Sequence, residues 1–186
     1  VLLDSYLEDP QQIELSGNID ERDKAKHYYY IKKLIKNLSN VYKKKIVVCI
    51  HPKDNLQIKK KLFSDLDNIK VVQHETRENI YKAFIVLFFG SSAIIDAILL
   101  KKRIVALCST YTGPIMRKII LNTVNRAGLM SLNLEDEIKI DQNKFLSKLD
   151  EAKNNYLDFI ETYIAPDGNN IGYEKIIRTL KERFFN

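Results

Sequence analysis

Four apolar runs, "KIVVCI" (45–50), "IKVVQ" (69–73), "FIVLFF" (84–89) and "RIVALC" (103–108), recur along the chain, and the segments between them carry a different, helical rhythm. Strands without a polar alternation have both faces covered, which is the condition of strands in a parallel sheet. "VLLDSYL" (1–7) opens the chain as a further strand ending in polar residues, and "LMSLN" (129–133) is the last. From Arg22 to Tyr42 the apolar positions Ala25, Tyr28, Ile31, Leu34, Ile35, Leu38 and Val41 step by threes and fours, which predicts one long amphipathic helix. "NLQIKKKLFSDL", "TRENIYKA" and "SSAIIDAILLKK" predict shorter ones. "GPIMRKIILNTVNRAG" predicts a helix with Pro114 in its first turn and Gly128 just past its end. Strands alternating with helices, joined by right-handed crossovers, give an α/β fold with a doubly wound Rossmann-like parallel sheet of about six strands.

At 186 residues the chain is long enough for a substantial core. The Rossmann-like unit is expected over residues 1–140. Over 141–186 two C-terminal helices should pack on the same domain. The first carries a stripe of Phe145, Leu149, Ala152, Tyr156, Phe159 and Tyr163; "APDGNNIG" interrupts; "YEKIIRTLKERFF" forms the second. Because Val1 already lies in an apolar run, the expectation is that a further N-terminal domain belongs to the complete functional unit.

Composition narrows the classes. Hydrophobic residues make up 45 % and charged ones 29 %, a globular rather than a disordered balance. No apolar run approaches the ~20 residues of a membrane-spanning helix. Cys49 and Cys108 sit in predicted buried strands with no CxxC neighbour, the pattern of free thiols in a reduced, cytoplasmic compartment. The net charge of +6 comes largely from "KKLIK", "YKKK" and "IKKKL", which read either as solvated helix faces or as an attraction for anions. The anions in view are a nucleotide donor and the acidic inner face of the cytoplasmic membrane, to which the basic helices could bind peripherally. No nucleic-acid-binding motif accompanies the charge. His27, His51 and His74 are scattered on different elements, with no metal-ligand spacing. Neither a P-loop, a GxGxxG turn nor a GxSxG elbow occurs.

In an open parallel sheet ligands bind beyond the carboxyl ends of the strands. Those ends carry Asp4, Ser5 and Tyr6; His51, Pro52 and Lys53; His74, Glu75 and Thr76; Gly90, Ser91 and Ser92; and Ser109, Thr110 and Tyr111. "FFGSSAIIDA" puts Gly90, Ser91 and Ser92 where a strand turns into a helix, whose first amides and dipole favour an anion such as phosphate. Gly90 permits close approach to the backbone. A single N-capping serine would account for one hydroxyl residue and not for the other or for the glycine. In "CIHPKD", His51 can donate a ring N–H to a phosphate oxygen, and Pro52 stiffens the turn and holds His51 extended. By itself a His-Pro pair is a weak signal and reads rather as a structural turn.

Taken together, "HPKD" and "GSSAIIDAILLKKRIVAL" resemble the HP and paired-serine motifs of bacterial sialyltransferases, polysialyltransferases and related capsule and lipopolysaccharide glycosyltransferases. The resemblance covers roughly residues 46–107 by motif and the chain by element order. It implies one half of a GT-B fold, the donor domain, in which these motifs bind the CMP part of a CMP-sugar such as CMP-sialic acid. It further implies inverting transfer to a glycan acceptor, without a required cofactor or metal, with acceptor site and general base in the N-terminal domain. His51 would stabilise the leaving phosphate, and Pro52, Lys53, Gly90, Ser91 and Ser92 would cradle it. Glu75 is a candidate for ribose or base recognition, or else a favourable charge at a helix start. Lys53 adds positive charge or is simply solvated, and Asp96 is placed to order the turn after Ser92. The acidic D/E-D/E-G motif of the sialyltransferases is not found; Asp167-Gly168 follows Pro166 and is not equated with it. Two alternatives stand beside this reading: a CDP-glycerol-type phosphotransferase with a similar cradle, and a non-catalytic phosphate-binding or partner-docking α/β module.

Overall fold

The computed structural model describes residues 1–4, 7 and 19–164. Among them six strands form one parallel sheet in the order β3-β2-β1-β4-β5-β6. They are β1 (Leu2–Leu3), β2 (Ile46–Ile50), β3 (Ile69–Gln73), β4 (Val86–Phe88), β5 (Ile104–Cys108) and β6 (Met130–Asn133). From β1 the chain builds outward through β2 and β3, then returns to the other side of β1 and continues through β4, β5 and β6. With crossovers of one hand, this reversal puts helices on both faces and makes β1/β4 the switch point of a Rossmann-like doubly wound sheet.

The helices begin and end where local chemistry allows. Helix α1 (Glu21–Tyr42) starts at Asp20, whose carboxylate accepts the N–H of Asp23 at 2.7 Å. It ends at Lys43 in the left-handed conformation (φ 51°). Its buried face is His27, Tyr28, Ile31, Leu34, Ile35 and Leu38. Ala25, expected on that face, is exposed, and His27 is buried instead. Helix α2 (Leu56–Leu62) is capped by Asn55, which accepts from Gln57 and Ile58. The remaining crossovers are α3 (Thr76–Lys82), α4 (Ile94–Leu99) and α5 (Pro114–Ala127). In the core, β5 is buried along its whole length, as a strand under two helical layers must be.

Beyond β6 the aromatic stripe packs onto the same core, but not as one regular helix. Helix α6 (Gln142–Ala152) gives way to a 3₁₀ turn over Lys153–Asn155, then to α7 (Tyr156–Phe159) and a π-helical turn (Ile160–Ile164). Asn154 and Asn155 are weak helix formers. The wider final turn puts Ile160 into the core and leaves Tyr163 half exposed beside Phe159. Arg103 at the start of β5 grips Asp150 of α6 with two parallel hydrogen bonds of 2.9 and 2.8 Å, fastening this segment to the sheet. The "APDGNNIG" break and the last predicted helix lie outside the described residues.

Gly128 ends α5 in the left-handed region (φ 60°) and its amide returns to the carbonyl of Val124. A Cβ there would also press into Asn155, lying only 2.7 Å from its Cβ. Gly128→Ala should therefore lower stability by roughly 2 kcal/mol, from the left-handed backbone and the overlap together. A denaturant midpoint unchanged from wild type would contradict this.

Candidate functional site

Register fixes the geometry of the carboxyl edge. Leu3 of β1 pairs with Cys49 of β2 on one side and with Phe88 of β4 on the other. His51 and Gly90, each two residues further on, therefore stand at the same height on the two strands flanking β1. Neighbouring strands are about 4.8 Å apart, so the two strand ends lie roughly 10 Å from one another across the switch point. Ser5 and Tyr6, which follow β1, lie outside the described residues.

On the β2 side, His51, Pro52, Lys53 and Asp54 form a tight turn, closed by the N–H of Asp54 donating to the carbonyl of His51 at 2.9 Å. Pro52 takes the second position, where its fixed φ is favourable. The amide of Lys53 donates to Nδ1 of His51 at 3.2 Å. An Nδ1 that accepts carries no proton, so the neutral ring holds its proton on Nε2. Imidazole and turn thus lock together. From the end of β3, the Nε2 amide of Gln73 donates to the carbonyls of Pro52 and Asp54, both at 2.9 Å, and more weakly to that of His51 at 3.4 Å.

Beneath the turn lies a buried ionic cluster. The ammonium of Lys59, on α2, is 2.7 Å from Asp4 at the end of β1 and 3.0 Å from Asp54 of the turn. It also hydrogen-bonds the hydroxyl of Tyr28 on α1, whose own proton points to Asp4 at 3.3 Å. Lys59 is 7 % exposed and Asp4 3 %. Burial alone would lower the pKa of Lys59, yet Asp4 and Tyr28 outweigh it and hold the ammonium well above its ordinary range. Burial, followed by the charge of Asp4, raises the Tyr28 phenol and keeps it protonated. "IKKKL" is thus not a wholly solvated face: its first lysine turns inward.

On the β4 side, Gly90 is left-handed (φ 67°), a conformation glycine adopts without cost. Ser91 Oγ accepts the N–H of Ala93 at 3.3 Å and its carbonyl accepts that of Ile94, so Ser91 shapes the turn into α4. Ser92 is exposed. Asp96 pairs with Arg77 of α3 at 3.0 Å, so it ties two helices together rather than ordering the serine turn. Glu75 begins α3 and pairs with Lys70 at 3.4 Å on the surface, one strand further from the switch point than His51. Lys53 is exposed on the turn. Farther along the same edge, Ser109 donates to Glu135 at 2.7 Å, and Thr110, Gly113, Arg117 and Lys118 line a recess of about 550 Å³. A cavity of about 320 Å³, lined by Tyr42, Ile46, Phe84 and Ile85, opens instead at the amino ends of the strands.

Sequence reasoning brought His51 and the Gly90–Ser92 turn to one edge; it missed Lys59, Gln73 and His27. Lys59 had a legible signal, since it stands between Leu56 and Phe63 where the helix pattern calls for an apolar residue. His27 has the same signal, four residues before Ile31. Its ring packs on Phe89 at 4.4 Å, with neither nitrogen hydrogen-bonded among the described residues. Among the described residues no group of three or more His, Cys, Asp or Glu could hold a metal ion, and no helix is long and apolar enough to cross a membrane.

Comparison with known proteins returns no match: neither a family model, nor a curated protein, nor a solved structure. The functional reading rests on the residues themselves.

Two expectations follow for stability. Lys59→Met leaves Asp4 and Asp54 facing each other without their cation and should cost about 3–5 kcal/mol, read as a drop in denaturant midpoint. Burial, with Lys59 nearby, pushes the His27 pKa down to about 3, whereas the unfolded chain takes up that proton near pH 6.5. Stability from this group is complete above pH 6.5 and declines as pH falls toward 3, by about 2 kcal/mol between pH 7 and 5. His27→Leu should remove that slope; an equally steep slope in the variant would refute the assignment.

Proposed function

We propose that this chain is the donor-binding domain of a glycosyltransferase that uses a CMP-sugar, of the type that builds bacterial surface polysaccharide. The observation that carries the reading is the level pairing of His51 and Gly90 on either side of β1, at the switch point where doubly wound sheets bind nucleotides. The tautomer set by the Lys53 amide adds to it, because it puts the proton of the neutral ring on Nε2, the donor form that a phosphate oxygen calls for. The net charge of +6 favours an anionic donor over a neutral ligand. The likeness of "HPKD" and "GSS" to the HP and paired-serine motifs supplies the cytidine nucleotide.

In this reading the phosphate of CMP spans the two turns. The Gly90–Ser92 backbone and the Ser92 hydroxyl hold it on the β4 side, and His51 holds it on the β2 side. An acceptor hydroxyl attacks the anomeric carbon, the glycosidic bond to CMP breaks, and negative charge grows on the departing phosphate. His51 answers that charge with a hydrogen bond that strengthens as it develops, or with its proton. The recess beside Arg117 and Lys118 gives the remainder of the donor room along the same edge. Acceptor and general base belong to the second domain of a GT-B enzyme.

Calorimetric titration with CMP, CDP and UDP tests the proposal. CMP should bind in preference to UDP, and His51→Ala should weaken it by about tenfold or more with folding intact, the loss of one charge-assisted bond. Tighter binding of CDP than CMP redirects the reading to a CDP-alditol phosphotransferase. Absence of binding by either cytidine nucleotide to the folded protein rejects the cradle.

A further inference from the structure

His51 is partly exposed on a turn, and a turn is held only by what grips its backbone. Two grips meet at this one. From above, a single amide, Nε2 of Gln73, reaches the carbonyls of His51, Pro52 and Asp54. From below, Lys59 holds the Asp54 carboxylate at 3.0 Å and joins it to Asp4 on the central strand. The main-chain pairing of Gln73 with Ile50, the residue before His51, sets the distance over which the side chain must reach. The turn's own bond, from the Asp54 N–H to the His51 carbonyl, closes it locally but does not tie it to β3. Three carbonyls facing one amide cannot rotate without losing at least two of those bonds.

We infer that Gln73 is a positioning residue: it fixes the His51 turn so that the Nδ1 acceptor bond to Lys53 persists and Nε2–H keeps its aim at the ligand. This rests on the proposed role of His51 and adds a residue on β3, outside both motifs. The chemistry needed is that of an amide N–H₂: a carboxylate at this position would face three carbonyl oxygens without a proton to share, and an aliphatic side chain would leave them to water. Because Gln73 is only half-buried at a strand end, its replacement removes the grip and leaves the core intact.

The experiment is a thermodynamic cycle on CMP binding, joined to a ligand-free measurement. Gln73→Leu should weaken CMP about tenfold, and His51→Ala/Gln73→Leu should bind no more weakly than His51→Ala alone, because the two residues act as one unit. Undiminished affinity in Gln73→Leu, or losses that multiply in the double variant, would overturn the inference. Without ligand, the ring ¹⁵N signals of His51 should report the Nε2–H tautomer in the wild type and move toward the free-histidine mixture in Gln73→Leu. An unmoved tautomer overturns it equally. Should the wild type fail to bind CMP, the donor reading falls, and the ring signals alone decide whether Gln73 holds the turn.

Discussion

One ammonium group holds the carboxyl edge of this sheet together. Lys59 reaches Asp4 at the end of the central strand, Asp54 in the His-Pro turn, and the phenol of Tyr28 on the first helix. Three segments far apart in sequence meet at one buried charge. Removing such a charge from water is costly, and the cost is recovered only where good geometry and further hydrogen bonds surround it. Here the ammonium hydrogen-bonds Asp4 and the Tyr28 hydroxyl, and Asp54 adds a second carboxylate as an ion pair at 3.0 Å. The arrangement adds orientation as well as energy: an apolar side chain in place of Lys59 could fill the volume, but it would not specify where Asp54 sits.

The two strands that flank β1 then do different work from similar positions. β2 delivers an imidazole whose tautomer is set by the next turn of chain, and β4 delivers a glycine-led turn rich in backbone and hydroxyl donors. Both belong to the side of the sheet where strand order reverses and adjoining loops diverge, leaving an opening. The cavity at the opposite edge is lined chiefly by apolar and lysine side chains and brings together none of the motif residues. The larger recess, about 550 Å³ beside Arg117 and Lys118, lies on the same edge as the motif residues, and polar convergence points there as well.

Much of this was legible in the residues. Continuous β-branched runs announced a parallel sheet, and the spacing of strands and helices gave the order of the elements. Pro114 and Gly128 marked the ends of α5 where it is found. Strand lengths were less legible: "FIVLFF" contributes only Val86–Phe88 to the ladder, because Ile85 and Phe89 are buried but lie outside the paired residues and Phe84 is exposed, so hydrophobicity did not record pairing. The long aromatic stripe looked like one helix, yet two asparagines and a π-turn divide it and turn Tyr163 outward. Within the site, the motif residues could be found from strand ends. Lys59 was hidden in a run of three lysines where only phase on the helix distinguishes the one that points inward, and Gln73 acts through backbone carbonyls, which leave no mark in sequence.

The central claim is that a cytidine nucleotide's phosphate sits between the His51 turn and the Gly90–Ser92 turn. Backbone amide NMR of the ¹⁵N-labelled chain during titration with CMP tests it most directly. The account predicts the largest shifts at His51, Lys53, Gly90, Ser91 and Ser92, on both sides of β1 and saturating together. Shifts confined to one of the two turns, or centred on the cavity around Tyr42 and Phe84, would contradict it.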